Sequence, residues 1–274
     1  MSDAPFRLCV LGSGSSGNCV AIQGPGGLVL LDAGFSPRET RRRLELAGFP
    51  PADLRAVVLT HPDSDHLHSG WKRTVGGLVG PRLLVRGRHA QAVQAQGYLP
   101  AWIDEFTDPF EAAGVRFEPF PLPHDSLGST AFRISVGDRV AAHATDLGRR
   151  TARLVEFLSG ADALFLESNY DPAMQRASGR SPYLVDRIMG GDGHLSNEQA
   201  LEIALAVDRV QPLGTLQLLH LSRQCNCPRL VARLWEERAP ALVPRLTVTA
   251  QHAPSAAVEP LPRLHHATLF GGYP

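Results

Sequence analysis

Short apolar runs alternate with polar, periodic stretches along most of the chain. Runs at 7–11, 19–22, 28–31, 56–59, 83–86, 115–120, 163–167, 216–219 and 245–249 are too brief for core helices and rich in branched side chains, so they predict strands. A hairpin is expected from 132–136 and 140–144, turning at Gly137-Asp138. Between these runs the period lengthens, predicting helices at 37–47, 89–96, 151–158, 183–189, 196–208 and 229–237. Two of them carry start signals: Ser36-Pro37-Arg38-Glu39 is an N-cap, a first-turn proline and a capping glutamate, and Ser196 caps the helix that follows it. Past residue 251 the pattern lapses into Pro, Ala and Gly. The expectation is one α/β domain over 1–251 and a loosely held tail over 252–274.

The segment Gly12-Ser-Gly-Ser-Ser-Gly17-Asn18 formally spells a dinucleotide fingerprint, with Asp32 downstream. That fingerprint works only when its last glycine opens a helix whose N-terminus holds a pyrophosphate. Here a β-prone run, Cys19-Val-Ala-Ile22, and a turn, Gly24-Pro-Gly-Gly27, follow instead. The glycines are expected to turn one strand back on the next.

With 43% hydrophobic and 20% charged residues the chain is built to fold around a core, which excludes disorder as its main state. Its 27 cations balance its 27 anions, so no global field recruits a polyanion and any such partner must be held by local groups. All cations but Lys72 are arginine, a bias that matches the abundance of Ala, Gly and Pro. No apolar run approaches the roughly 20 residues of a membrane span and no leader pattern opens the sequence, so a cytoplasmic protein is expected. Cys9, Cys19, Cys225 and Cys227 are too few for a disulfide framework and read as reduced thiols. Cys225-Asn-Cys227 lacks the partner pair of a metal site.

Chemistry concentrates after the strand at 56–59, where Thr60-His61-Pro62-Asp63-Ser64-Asp65-His66 puts four potential metal ligands within a few residues. Alternate positions on an extended loop turn to one side, so His61, Asp63 and Asp65 converge on one region. His124, Asp146 and His220 each follow an apolar run. An imidazole or carboxylate at the mouth of a strand needs a specific partner if it is buried, which favours a site over a core position.

These residues resemble the first motif of the metallo-β-lactamase-fold hydrolases, Thr-His-x-His-x-Asp-His, and the resemblance is closest to the YycJ/WalJ-type subfamily. It spans roughly residues 7 to 250. It rests also on Gly12-Ser-Gly-Ser-Ser-Gly-Asn18, Glu167-Ser-Asn-Tyr-Asp171, Gly193-His-Leu-Ser-Asn-Glu198 and His220-Leu-Ser222. The resemblance implies a four-layer αββα sandwich, in keeping with the alternation above. It also implies two divalent metal ions, zinc or manganese. His61, Asp63 and His124 would hold one, Asp65, His66 and His220 the other, with Asp146 bridging.

Asp63 departs from the family, which usually has histidine there. Other branches with His-x-Asp-x-Asp-His show that the site survives the change. The extra carboxylate leaves one net positive charge on two dications where an all-histidine set leaves two, and tilts preference toward Mn²⁺. The implied reaction is hydrolysis by a hydroxide activated between the ions, oriented by the catalytic residues Asp65 and Asp146. His194 has two readings: proton donor to the leaving oxygen, or a residue serving the amides ahead of the Ser196 helix. Asn169 and Asp171 are expected at the rim. His68 is expected to point away at the start of a helix, and His143 to sit in the core or behind the ligands. His89, His252, His265 and His266 read as surface residues.

Subfamily resemblance implies exonuclease action on DNA, a phosphodiester substrate. Arg41–Arg43, Arg149, Arg150, Arg176, Arg180 and Arg187 are the local groups available for approach, and each also reads as a solvated helix face. The interval from Asp146 to His220 leaves no room for the large insertion of related nucleases. Two alternatives stand beside this: a hydrolase of small thioesters, lactones or cyclic phosphodiesters, which suits the neutral charge, and a non-catalytic metal-binding protein on the same fold.

Overall fold

The computed structural model describes residues 5–76 and 80–262. Among them, one sheet runs in the order β1 (Arg7–Gly12), β2 (Cys19–Gly24), β3 (Gly27–Leu31), β4 (Leu54–Val58), β5 (Arg82–Arg86) and β6 (Ile103–Phe106). The other runs from β7 (Phe110–Ala112) through β8 (Val115–Leu122), β9 (Ser129–Val136), β10 (Arg139–Ala144), β11 (Ala163–Glu167) and β12 (Thr215–Leu219) to β13 (Leu246–Val248). The helices are α1 (Pro37–Leu46), α2 (Gly87–Ala95), α3 (Ala152–Leu158), α4 (Pro172–Arg176), α5 (Pro182–Met189), α6 (Asn197–Val210) and α7 (Pro228–Arg238).

The central strands are apolar on both faces because both faces are covered. In β11, Ala163 and Phe165 point into the space between the sheets, where they meet Phe117, Phe132, Val29 and Val58. Leu164 and Leu166 point the other way, onto Leu154 and Leu158 of α3, Leu201 of α6 and Trp235 of α7. The first sheet splits likewise: Val10 and Val58 face inward, and Leu11 and Val57 pack with Leu44 of α1 and Val93 of α2. Three apolar interfaces separate four layers, the αββα sandwich expected from the sequence.

β3 to β6 are parallel neighbours, as are β10 to β13. Their carboxyl ends therefore gather along one edge of each sheet, where α/β proteins place ligands. The hairpin β9–β10 turns at Gly137, whose φ of 60° the turn requires. The glycine-rich loop joins β1 to β2 antiparallel, with no helix behind it, so no dinucleotide fold exists here.

Several expectations change. β6 and β7 were not read as strands, because Ile-Asp-Glu-Phe is half polar and Phe-Glu-Ala is too short to show a period. His89, expected at the surface, is fully buried: it lies one turn from Val93 on the inward face of α2, and its Nε2 hydrogen-bonds the carbonyls of Leu127 and Gly128. His252 is exposed, and His68 caps a short 3-10 turn, Ser69–Arg73, by accepting from the Gly70 amide. Of the stretch expected to form a loose tail, residues 252–262 are docked: Val258 exchanges hydrogen bonds with Leu8 on β1, and the Ser255 amide donates to Val10. His265 and His266 lie outside the described residues.

Candidate metal centre

Each candidate ligand stands just past a strand end. Thr60 and His61 follow β4, His124 follows β8, Asp146 follows β10 and His220 follows β12. Sharp corners turn three buried carboxylates and rings inward: Asp32, Asp146 and His220 have φ of 61°, 54° and 55°. Non-glycine residues rarely adopt this left-handed region, at a cost on the order of 1–3 kcal/mol, and hold it only where the surroundings fix it. Gly34 lets the motif loop close over β3, since a Cβ there would lie 1.8 Å from the Asp65 carbonyl oxygen.

The corners bring the seven predicted ligands together. His61, Asp63 and His124 each offer a donor atom within 4.8 Å of the others, and so do Asp65, His66 and His220. Asp146 groups with His61 and His66 on one side and with His220 on the other. Its Oδ2 is 3.1 Å from His66 Nε2, and its Oδ1 is 3.0 Å from His220 Nδ1. The ring centroids of His61 and His66 are 4.1 Å apart, those of His61 and His124 5.3 Å. The pocket they line has a volume of about 200 Å³ and also takes Asn169, Arg180, Arg187 and His194 into its wall.

The hydrogen bonds behind the rings supply a test of fit. His124 Nδ1 donates to the Gly193 carbonyl at 2.9 Å. His66 Nδ1 donates to Asp32 Oδ2 at 2.7 Å. The Thr60 hydroxyl donates to the same carboxylate at 2.9 Å and accepts from His61 Nδ1 at 3.0 Å. Each of these rings thus commits its Nδ1 proton to the protein and leaves Nε2 as a lone-pair donor, the tautomer that metal-binding histidines need. The donor set fits divalent cations.

Charge points the same way. Burial and the facing His66 hold His61 well below the ordinary histidine value. At His66 burial is outweighed by Asp32, Asp146 and Asp65, which raise the ring well above that value, and at His220 by Asp146, Asp65 and Glu167. Burial likewise loses at Asp65, which His66 and His220 bring down to about 2, and at Asp146, drawn well below the carboxylate range by His220 and His66. Of the carboxylates lining the pocket Asp63 alone is raised, by partial burial and by Asp65. The acidic pocket therefore holds protons on imidazoles that cations would displace, so cation binding releases protons and weakens as pH falls.

His194 is not a cap. Ser196 and Gln199 form their own capping box at α6, and the His194 ring instead donates from Nδ1 to Glu167 Oε1 at 2.7 Å. Glu167, fully buried, had been read only as part of a family motif. It accepts from His194, lies 3.2 Å from His220 Nδ1, and takes the amides of Leu147 and Leu195 on its other oxygen. Asp32 figured in the sequence only as the acid downstream of the formal dinucleotide fingerprint. The available signal was a carboxylate ending an entirely apolar strand, where burial demands partners. Asn169 is at the rim as expected and donates to the His220 carbonyl at 2.7 Å. Asp171 is elsewhere: it caps α4 by accepting from the Met174 amide. His143 is buried behind Asp32 with Nδ1 unpartnered. Cys225 and Cys227 are free thiols and, among the described residues, join no cluster of three metal-capable groups.

The sequence profile of the Beta-lactamase superfamily domain matches residues 28–220. The chain is 29% identical over 243 residues to the exodeoxyribonuclease WalJ of Streptococcus pneumoniae serotype 2, covering 84% of this chain and 87% of the relative. It is 28% identical over 245 residues to the exodeoxyribonuclease YycJ of Bacillus anthracis, covering 85% and 90%. Among solved structures, Zn²⁺-bound PqqB from Methylobacterium extorquens matches with a TM-score of 0.68 at 17% identity, over 92% of this chain and 99% of that one. The metallo-β-lactamase-fold protein YhfI from Bacillus subtilis matches with 0.66 at 19%, over 93% and 100%. At these identities the structural likeness is one of fold.

Proposed function

The chain belongs to the beta-lactamase superfamily and is a metallo-hydrolase of that fold, and on that premise we propose that it is a DNA exonuclease using two divalent ions. The observation that carries the reading is the pair of triads, His61/Asp63/His124 and Asp65/His66/His220, with Asp146 grouped with members of both. The names of the two exodeoxyribonuclease relatives support DNA as the substrate. Ions held by these residues would supply an acidified water at neutral pH and offset charge developing on the phosphoryl oxygens.

The protein's own part is positional. Asp65 and Asp146 direct carboxylate oxygens into the pocket and orient the attacking water. His194 protonates the departing oxygen: Glu167, outweighing burial, raises its pKa, and the Nδ1 bond leaves Nε2 for a substrate atom. Glu167 is a positioning residue that aims His194 and His220 together. The oxygen-richer triad around Asp63 favours Mn²⁺ over Zn²⁺. Among the described residues no helix is long and apolar enough to cross a membrane. The free thiols suit the cytoplasm we propose for it.

The decisive experiment loads purified protein with Mn²⁺ or Zn²⁺ and follows 5′- and 3′-labelled duplex and single-stranded DNA, with Asp65→Ala as control. Progressive loss from one end that vanishes in Asp65→Ala and weakens as salt rises is expected. Turnover of thioesters, lactones or cyclic diesters with DNA left intact would replace the reading by the small-molecule one. Full metal occupancy with no hydrolysis would replace it by the non-catalytic one. Glu167→Gln is expected to cost about 10- to 100-fold in metal affinity or activity. It should also displace the basic limb of the pH profile, which a purely structural role would leave in place.

A further inference from the structure

The metal pocket, at about 200 Å³, is smaller than the roughly 300 Å³ at which small-ligand sites begin. A second cavity of about 470 Å³ adjoins it, lined by Ser15, Ser16, Arg180, Ser222, Arg223 and Gln224. Ser15, Arg180 and Ser222 belong to both walls. The two spaces differ in their carboxylates. Asp63, Asp65, Asp125 and Asp146 line the metal pocket, whereas the second cavity has two guanidiniums, three hydroxyls and an amide, and no carboxylate.

Several other arginines of this side of the molecule are engaged by carboxylates. Arg187 pairs with Asp125, Arg149 with Asp192 at 3.4 Å, and both Arg42 and Arg43 with Glu39 at 2.7 Å. Arg180 and Arg223 are held by neutral oxygens instead. Arg180 donates to Gln224 Oε1 at 3.0 Å and to Gln175 Oε1 at 3.4 Å, and Arg223 donates to Ser16 Oγ at 3.5 Å. Among the described residues neither forms an ion pair. Amide and hydroxyl acceptors orient a guanidinium without discharging it, which leaves two forks available for an anion. The loop beneath them is fixed: the Ser16 amide donates to Gln251 Oε1 at 2.9 Å, and Gln251 Nε2 donates to the Gly17 carbonyl at 2.8 Å.

We infer that this second cavity is a phosphate subsite in which Arg180 and Arg223 grip a further phosphate of the strand whose scissile bond lies over the metal centre. The shared wall favours one ligand crossing both spaces over two separate ones, and a nucleic-acid strand is the ligand with regularly spaced anions that the proposed reaction already requires. The inference rests on that reading. Its chemistry is served by a terminal phosphate monoester or by an internal diester.

Arg223 is exposed and lines only the outer cavity, so Arg223→Gln tests the subsite without risk to folding. Binding of a fluorescent, cleavage-resistant phosphorothioate single-stranded oligonucleotide to metal-loaded protein is followed by anisotropy over a range of potassium chloride, with Arg209→Gln on α6 as a control of equal charge change. Arg223→Gln should raise Kd about 5- to 10-fold and lower the slope of log Kd against log salt by about 0.7, one phosphate contact on a single strand. A loss confined to 5′-phosphorylated oligonucleotides assigns the terminal monoester, and an equal loss on 5′-hydroxyl ones assigns the internal diester. In the metal-loaded protein the same variant should lose at least 5-fold more kcat/KM on the oligonucleotide than on bis(4-nitrophenyl) phosphate, chiefly through KM. Equal loss on the two substrates, or binding no weaker than in Arg209→Gln, would overturn the subsite while leaving a DNA-degrading wild type intact. A wild type that cleaves the small diester but neither binds nor degrades oligonucleotides would overturn both proposals.

Discussion

Asp63 contributes an oxygen in a pocket otherwise dominated by imidazoles, and its side chain, 55% exposed, is the most open of the seven candidate ligands. Asp63→His is expected to move metal preference from Mn²⁺ toward Zn²⁺, read by metal analysis after loading from an equimolar mixture and by activity titration with each ion. Identical profiles for the two proteins would count against a ligand role for Asp63. His143 makes a separate prediction. Burial holds it neutral, with its pKa lowered to about 4, whereas the unfolded chain protonates it near 6.5. The unfolded state therefore binds the extra proton between those values. The stability His143 confers is present above pH 6.5 and is lost as pH falls toward 4, by up to about 3 kcal/mol. Urea titrations of metal-free protein across this window should show a shallower decline in His143→Gln than in the parent.

The candidate ligands were legible at this scale, His124, Asp146 and His220 as lone polar residues at the end of apolar runs, and His61, Asp63, Asp65 and His66 as a cluster just past one. Glu167 and Asp32 end apolar runs too, so their burial was legible but their role was not, because the rings they touch are distant in sequence. His89 shows the opposite error. Nothing local distinguishes a solvated helix-start histidine from one that closes onto the Leu127 and Gly128 carbonyls.

At the scale of elements, capping and periodicity carried most of the reading. Ser196 and Gln199 complete a reciprocal capping box, and the N-cap of α6 lies two residues beyond His194. Ser196→Ala should cost about 0.5–2 kcal/mol in chemical denaturation. A loss well below that range would show that packing of Leu201 and Val207 alone sets the helix start. β11 was read to the residue because an apolar run bounded by Gly160 and Ser168 admits little else. β6 and β7 escaped because half-polar edge strands carry no period that local sequence can reveal. Gly34 is another such case, since only the fold brings the Asp65 carbonyl within reach of it.

For the whole molecule, the two sheets and their inner core decide where the strand ends meet. Phe165 lies at the centre of that core, fully buried with Phe117 and Phe132. Phe165→Ala should destabilise the protein by about 3–5 kcal/mol, measured by denaturant titration. A loss under about 1 kcal/mol would mean that the sheets can close over the void. Net charge, zero for the chain, concealed the local separation of an acidic pocket from a cationic cavity beside it.

Gln251 draws the fold's far end into this arrangement. Lying just past β13, it grips the glycine-rich loop by both ends of its amide, and its backbone carbonyl accepts from the buried Arg43. The doorway through which a strand would enter is therefore latched by a residue 234 positions along the chain from the glycine it holds. Removing that amide in Gln251→Ala would leave the cage of imidazoles on its strand ends but unfasten the doorway, so grip on long substrates would fail before hydrolysis of short ones.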